Sequence, residues 1–174
     1  KRNTVWSGPD AMRFLADMGA DGIKVEGPTF PDPVRTAGGS RTGPDINLSS
    51  YFNEYNRGKR SRTLDFKKKS GMQALKRLIK TADVFVENWS SGVADRNGLG
   101  YNDLRKLNPN IVYISMPGFG HQGSDASRVG FGPTIEQMGG LGALQGYENE
   151  APHTYGITYG DTIAGETYAA ADGD

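Results

Sequence analysis

Gly71-Met72-Gln73-Ala74-Leu75-Lys76-Arg77-Leu78-Ile79-Lys80, then Thr81-Ala82, then Asp83-Val84-Phe85-Val86-Glu87, is the stretch that decides the fold class. In its first part Met72, Leu75, Leu78 and Ile79 recur at the spacing of one helical face. Lys and Arg close the last turn, where the helix dipole favours cations. In its second part a β-branched and aromatic run between two acidic residues reads as a strand. The stretch is therefore a helix leading directly into a strand.

The same order occurs twice more. Upstream, Ala11, Met12, Phe14, Leu15 and Met18 predict a helix, with Asp10 as its N-cap and Gly19 as its stop. The strand Gly22-Ile23-Lys24-Val25-Glu26 follows and ends at Gly27-Pro28. Downstream, a short helix over Asn102–Leu107 stops at Asn108-Pro109 and gives way to the strand Ile111-Val112-Tyr113-Ile114-Ser115. Three such units predict an α/β fold, an open and mostly parallel sheet with flanking helices. Residues 28–50 read as one long loop, and long loops in compact domains are often functional. Glycines crowd the stretch 116–160, which implies tight turns and close backbone approach.

The 174 residues include 25 glycines, two histidines, no cysteine, and 20 basic against 20 acidic residues. Without cysteine there is no disulfide scaffold, thiolate zinc site or cysteine nucleophile. Two histidines offer little to a metal centre, so none is expected. Zero net charge argues against a nucleic-acid partner. The apolar runs are too short to span a membrane, and Lys1-Arg2-Asn3 opens no apolar leader. The length suits one domain with a modest core. The chain opens without Met and stops at Ala169-Ala170-Ala171-Asp172-Gly173-Asp174, where a helix is starting. We therefore expect residues 1–174 to be a piece of a longer protein, incomplete at both ends.

Several motifs carry potential chemistry. Gly118-Phe119-Gly120-His121-Gln122-Gly123 has the G-x-G-x-x-G pattern after a strand, but no apolar helical stripe follows to bring a helix N-terminus to a dinucleotide. The cluster Asn56-Arg57-Gly58-Lys59-Arg60-Ser61-Arg62, with Lys67-Lys68-Lys69 behind it, reads either as a solvated face or as a phosphate clamp. Asn88-Trp89-Ser90 is a chance glycosylation sequon, and Trp89 is either a stacking platform or core. His121 and His153 have no partner at a catalytic spacing and read as loop residues. Asp161 lies in Thr158-Tyr159-Gly160-Asp161-Thr162-Ile163-Ala164-Gly165, ahead of small, helix-prone residues. It reads either as a helix N-cap or as a carboxylate kept ionised by a helix start, aimed outward, and able to attack an activated acyl group. These residues alone leave both readings open.

A set of blocks in fixed order adds to this picture. They are Trp6-Ser7-Gly8-Pro9, Leu15-Ala16-Asp17-Met18-Gly19-Ala20-Asp21, Ile23-Lys24-Val25-Glu26, Asn56-Arg57-Gly58-Lys59-Arg60-Ser61 and Leu64-Asp65. Further along come Ala82–Trp89, Gly98-Leu99-Gly100-Tyr101, Leu107–Tyr113, Gly118-Phe119-Gly120 and Gly160-Asp161. Over nearly its whole length the chain resembles the class III (CaiB/BaiF, formyl-CoA transferase-like) CoA-transferases.

The resemblance implies a Rossmann-like CoA-binding domain that is part of an interlocked homodimer. It also implies a cytoplasmic enzyme moving coenzyme A from an acyl-CoA to a small carboxylic acid through a covalent aspartyl intermediate, with no metal or redox cofactor. The aspartate position is Asp161. The CoA-contacting positions are Val5, Trp6, Ser7, Arg35, Leu64, Lys67, Asn88, Trp89 and Arg96. A glutamate that some members use falls on Gly132, with Glu136 nearby in another register. The histidine of the related α-methylacyl-CoA racemases falls on Phe131, which disfavours that alternative. A non-catalytic CoA-binding or dimerisation module is the other alternative, and a nicotinamide oxidoreductase is a distant one.

Overall fold

The structure, a computed structural model, describes residues 5–36, 45–153 and 156–171. In chain order the elements are α1 (Ser7–Asp17), β1 (Ile23–Glu26), α2 (Ser50–Asn56), β2 (Arg60–Thr63), α3 (Lys69–Ile79) and β3 (Val84–Glu87). They continue as α4 (Val93–Arg96), α5 (Tyr101–Leu107), β4 (Val112–Ser115), α6 (Gly132–Met138) and α7 (Tyr159–Ala171). All three expected helix-to-strand units form, with ends shifted by one or two residues except at the start of α1, which lies four residues earlier than expected. Asp10 is not an N-cap. It lies inside the first turn of α1, almost fully buried, and its Oδ1 accepts from Arg13 Nε at 2.8 Å. The helix starts earlier because Ser7-Gly8-Pro9 is already helical, and a proline in the first turn leaves no N–H without a partner.

The strands are parallel, as expected, but they form two ladders. Strand β1 pairs with β2, in register Ile23 to Arg60 through Glu26 to Thr63. Strand β3 pairs with β4, in register Val84 to Val112 through Glu87 to Ser115. Among the described residues no strand hydrogen-bonds the two ladders into one sheet. Strand β2 escapes a hydrophobicity pattern because Arg60-Ser61-Arg62-Thr63 has no apolar residue and all four side chains are exposed. Backbone bonds mark its ends, from Arg60 N–H to Gly22 C=O and from Leu64 N–H to Glu26 C=O, both 2.8 Å.

The core lies where α3, α5 and the loop after β3 meet the β3–β4 ladder. Leu75, Ile79, Trp89, Ala94, Leu99, Leu104 and Ile111 are buried together, with Met72, Phe85 and Tyr113 packed against them. At the other end of the chain, α7 lies against α1. Gly165 makes this possible: a Cβ there would sit 2.8 Å from the Ser7 carbonyl oxygen and 3.2 Å from the Ala11 nitrogen. The two backbones touch because one carries no side chain at the crossing.

Residues 24, 26, 32 and 35 form a buried charged cluster. Lys24 and Glu26 share one face of β1, as alternate residues must, and both are buried. Lys24 Nζ donates to Asp32 Oδ2 at 2.6 Å. Arg35 grips Glu26 with both arms, Nε to Oε1 at 2.9 Å and Nη2 to Oε2 at 2.7 Å, while its guanidinium lies over the Phe52 ring. Asp32 Oδ1 accepts from the Val5 amide at 2.9 Å. The cluster thus ties the entry to α1 down onto β1. Removing one member of a buried pair strands the other charge. Glu26→Ala is expected to cost about 3–5 kcal/mol, measured by urea unfolding. A loss within the ordinary surface range, about 0.5 kcal/mol, would contradict the burial of this pair.

Candidate active site

A cavity of about 260 Å³ opens between the entry to α1, the segment after β3 and the first turn of α7. Its wall includes Val5, Ser7, Asn88, Trp89, Gly160 and Asp161. The cavity therefore brings together four of the nine expected CoA-contacting residues and the expected nucleophile. Trp6, Arg35, Leu64, Lys67 and Arg96 lie outside its wall. Trp6 packs on Tyr55 and Tyr51 of α2, with ring centroids 4.5 and 5.3 Å away. Arg35 is engaged with Glu26, Leu64 packs against the core, and Lys67 and Arg96 are exposed. Trp89 is core as well as cavity wall, at 5% exposure.

Asp161 is the third residue of α7, not its cap. Its side chain turns into the cavity wall, where Oδ2 accepts from the Gly132 amide at 3.1 Å. Burial is the largest influence on its acidity and pushes the carboxyl above the ordinary aspartate value, and the Glu136 carboxylate pushes the same way. The Gly132 amide and the nearby Thr158 and Ser7 hydroxyls pull in the opposite direction and do not prevail. The carboxylate is thus turned inward rather than outward, and desolvation outweighs the helix terminus in setting its pKa. Gly132 shapes this arrangement through what it lacks. A Cβ there would lie 2.5 Å from Asp161 Oδ2 and 2.7 Å from Thr158 Cβ. No larger residue, a glutamate included, fits at that position without moving the Asp161 carboxylate or Thr158.

Glu87 organises the turn that carries Asn88 and Trp89. It is buried at the end of β3 and accepts from the Trp89 amide at 2.7 Å, from the Tyr113 hydroxyl at 3.2 Å and from the Ser115 hydroxyl. Ser115 has one proton, already given to Glu87, so His121 Nε2, 3.0 Å away, must donate to it. On the other side of the ring, Nδ1 lies 3.3 Å from the Ser91 hydroxyl. His121 is thus tied to the strand ends rather than free in its loop. A more open hollow of about 460 Å³ lies on that side, and Ser90 and Tyr168 line both spaces.

The basic cluster is mostly spent on the fold. Arg57 pairs with Asp17 at 2.7 Å and Glu54 at 2.5 Å, and Arg60 pairs with Asp21. Lys59 turns inward, donating to the carbonyls of Pro9 at 2.5 Å and Tyr55 at 2.7 Å, and burial pulls its ammonium down to about 7. No phosphate clamp is built from these three residues. The glycines of Gly118–Gly123 open no helix, and the next one begins at Gly132. The residue that sequence reasoning set aside is Glu136. It is buried, and its Oε1 accepts from the Gly160 amide at 2.8 Å. Among the described residues there is no cluster of three or more potential metal ligands, and no helix is long and apolar enough to cross a membrane.

Comparison with known proteins gives the family. Residues 2–171 match the family model described as CoA-transferase family III, and the chain belongs to that family. It is 38% identical over 164 residues to the succinate–glutarate CoA-transferase of Agrobacterium fabrum, covering 92% of this chain and 41% of that protein. It is 39% identical over 161 residues to the formyl-CoA:oxalate CoA-transferase of Streptomyces avermitilis, covering 92% and 38%. Among solved structures, a CAIB/BAIF family protein from Brucella suis superposes with a TM-score of 0.82 at 36% identity, covering 98% of this chain and 48% of that one. The hypothetical protein Rv3272 from Mycobacterium tuberculosis gives 0.84 at 31% identity, covering 97% and 46%. The chain thus spans about two-fifths of the length of these curated relatives.

The raised pKa of Asp161 has a consequence for stability. An acid whose folded pKa lies above its unfolded one opposes folding when charged. That cost is full above the folded pKa and fades as pH falls through it toward the unfolded value, about 3.9. Asp161→Asn keeps an acceptor for the Gly132 amide and removes the charge. The variant is expected to be more stable than the parent at pH 7, with the gap closing on acidification, as read by thermal melts across pH. A variant less stable at pH 7 would contradict this.

Proposed function

We propose that this chain is the part of a CoA-transferase that receives the acyl-CoA thioester and carries the nucleophile, Asp161. The whole enzyme would transfer coenzyme A from an acyl-CoA to a small free carboxylic acid. One observation supports this reading above the others: a buried carboxylate of raised basicity in the wall of a cavity, with one oxygen tied to a backbone amide. A carboxylate on a solvated helix cap would be a weaker nucleophile and would have no enclosed space in front of it. The two relatives, a succinate–glutarate and a formyl-CoA:oxalate CoA-transferase, support the same class.

In the proposed reaction Asp161 Oδ1 attacks the thioester carbonyl, and the C–S bond breaks to release CoA thiolate and leave a mixed anhydride. The thiolate attacks the aspartyl carbonyl and displaces the donor acid, leaving an Asp161–CoA thioester. The acceptor carboxylate attacks that thioester, again giving an anhydride and thiolate. The thiolate then attacks the acceptor's acyl carbonyl, releasing the new acyl-CoA and the free Asp161 carboxylate. No net proton is consumed. The cavity is smaller than the roughly 300–1,000 Å³ of a site enclosing a drug-sized ligand, so it suits the thioester end of acyl-CoA. The nucleotide would lie outside, where the exposed Lys67, whose ammonium stands over the Phe30 ring, and Arg96 would meet phosphates and Leu64 the adenine. Val5, Ser7, Asn88 and Trp89 would border the thioester and pantetheine. Arg35 and Trp6 would act at one remove, by fixing Val5 and the entry to α1.

No histidine lines the Asp161 cavity among the described residues, and Phe131 borders it. This favours acyl transfer over α-proton exchange. The interlocked homodimer and the cytoplasmic setting belong to the same proposal.

The test is trapping on the parent-length protein. Incubation with a panel of acyl-CoAs, followed by hydroxylamine or borohydride and peptide mass spectrometry, is expected to show hydroxamate or reduced aspartate at Asp161. Asp161→Asn is expected to bind acyl-CoA, form no adduct and lose at least a thousandfold in turnover, as removal of a covalent nucleophile does. Undiminished turnover by that variant would overturn the assignment.

A further inference from the structure

Helices α6 and α7 each satisfy the other's open end. The first amides of a helix have no partner within it. The Gly132 amide, opening α6, donates to Asp161 Oδ2 at 3.1 Å, and the Gly160 amide, in the first turn of α7, donates to Glu136 Oε1 at 2.8 Å. The two carboxylates and two amides form a reciprocal lock. Gly160 immediately precedes Asp161, so the bond from Glu136 holds the peptide from which the nucleophile projects. The two helices meet closely here: a Cβ on Gly160 would be in van der Waals contact, 3.4 Å, with both Glu136 Cγ and the Gly132 carbonyl oxygen. Glu136 is 8% exposed, and its position one helical turn after Gly132 places it against α7 rather than solvent.

We propose that Glu136 is a positioning residue for Asp161, holding the Gly160–Asp161 peptide so that the carboxylate faces the thioester. This rests on the reading of Asp161 as the nucleophile. Glu136 also places a second negative charge beside Asp161, which makes Asp161 bind its proton more tightly and donate its electron pair more readily. Of the other charged groups on the packed elements, Glu166 of α7 is exposed to solvent. Asp10 on α1 is paired with Arg13, and Arg128 on the cavity wall is paired with Asp125 at 2.9 Å. The Ser7 and Thr158 hydroxyls near Asp161 are uncharged.

The two contributions separate by substitution in the parent-length enzyme. Glu136→Gln keeps an oxygen for the Gly160 amide and removes the charge. Glu136→Ala removes both. For Glu136→Ala, kcat is expected to fall about tenfold to a hundredfold, the scale of a misplaced reacting group, with KM for acyl-CoA nearly unchanged. Glu136→Gln is expected to recover most of that kcat, yet to move the acid limb of kcat/KM to lower pH. Thermal melts identify any loss due to unfolding, and Glu136→Gln, which preserves the bond, carries the test if Glu136→Ala does not fold. Parent-like kcat and an unmoved acid limb in Glu136→Gln, together with parent-like kcat in folded Glu136→Ala, would overturn the proposal. So would equal losses in both variants with no movement of the acid limb. Asp161→Asn distinguishes the two readings. If it is inactive while the Glu136 variants behave like the parent, the positioning role alone fails. If it turns over normally, the nucleophile assignment fails first.

Discussion

The backbone contact between α7 and the first turns of α1 is the constraint on which the site depends. Gly165 lets the Ser7 carbonyl and the Ala11 amide lie where a side chain would otherwise stand. That contact brings the start of α7, and with it Asp161, up to Ser7 and the entry loop of α1. The entry loop is held from the other side by the Val5 amide on Asp32, which is held by Lys24 on β1. Asp161 is thereby connected to the ladder through two helices and a buried charged cluster. None of these links is a hydrophobic contact of the ordinary kind, which accounts for the dependence of the site on glycine and on buried charge.

The buried charges also explain a mismatch between composition and location. A chain with as many cations as anions would be expected to keep them at the surface, yet Lys24, Glu26, Asp32, Arg35, Glu87 and Glu136 are all buried. For each, a partner takes the place of water: guanidinium on carboxylate, ammonium on carboxylate, or backbone amides and hydroxyls on carboxylate. Such groups add little net stability. They do impose geometry, and the turn carrying Asn88 and Trp89 is one product of that.

Much of the architecture is legible along the chain where one face is apolar. The stripe Met72, Leu75, Ile79 announces α3, and Val84-Phe85-Val86 announces β3, because burial enforces the pattern. Strand β2 was invisible because its bonds are made by the backbone and its side chains face water. The division of the strands into two ladders could not be read either, since periodicity reports faces and not neighbours. At the candidate site, Asp161 and the Trp6–Pro9 block that opens α1 were picked out through ordered blocks rather than through local chemistry. Glu136 and Gly132 were not: one works through a contact 24 residues away in sequence, and the other through the side chain it lacks. Asp10 misled because a cap residue and a buried first-turn aspartate look alike until the start of the helix is known.

The central claim is that Asp161 exchanges its own oxygen with the acids it serves. Turnover of the parent-length enzyme with an acceptor acid whose carboxylate carries heavy oxygen tests this directly. In the anhydride formed from the acceptor, the bridging oxygen is the acceptor's, and thiolate attack on the acyl carbon leaves it on the aspartate. Peptide mass spectrometry after turnover is therefore predicted to find heavy oxygen in Asp161. Sustained transfer of CoA to the labelled acid with no label in Asp161 would contradict the account.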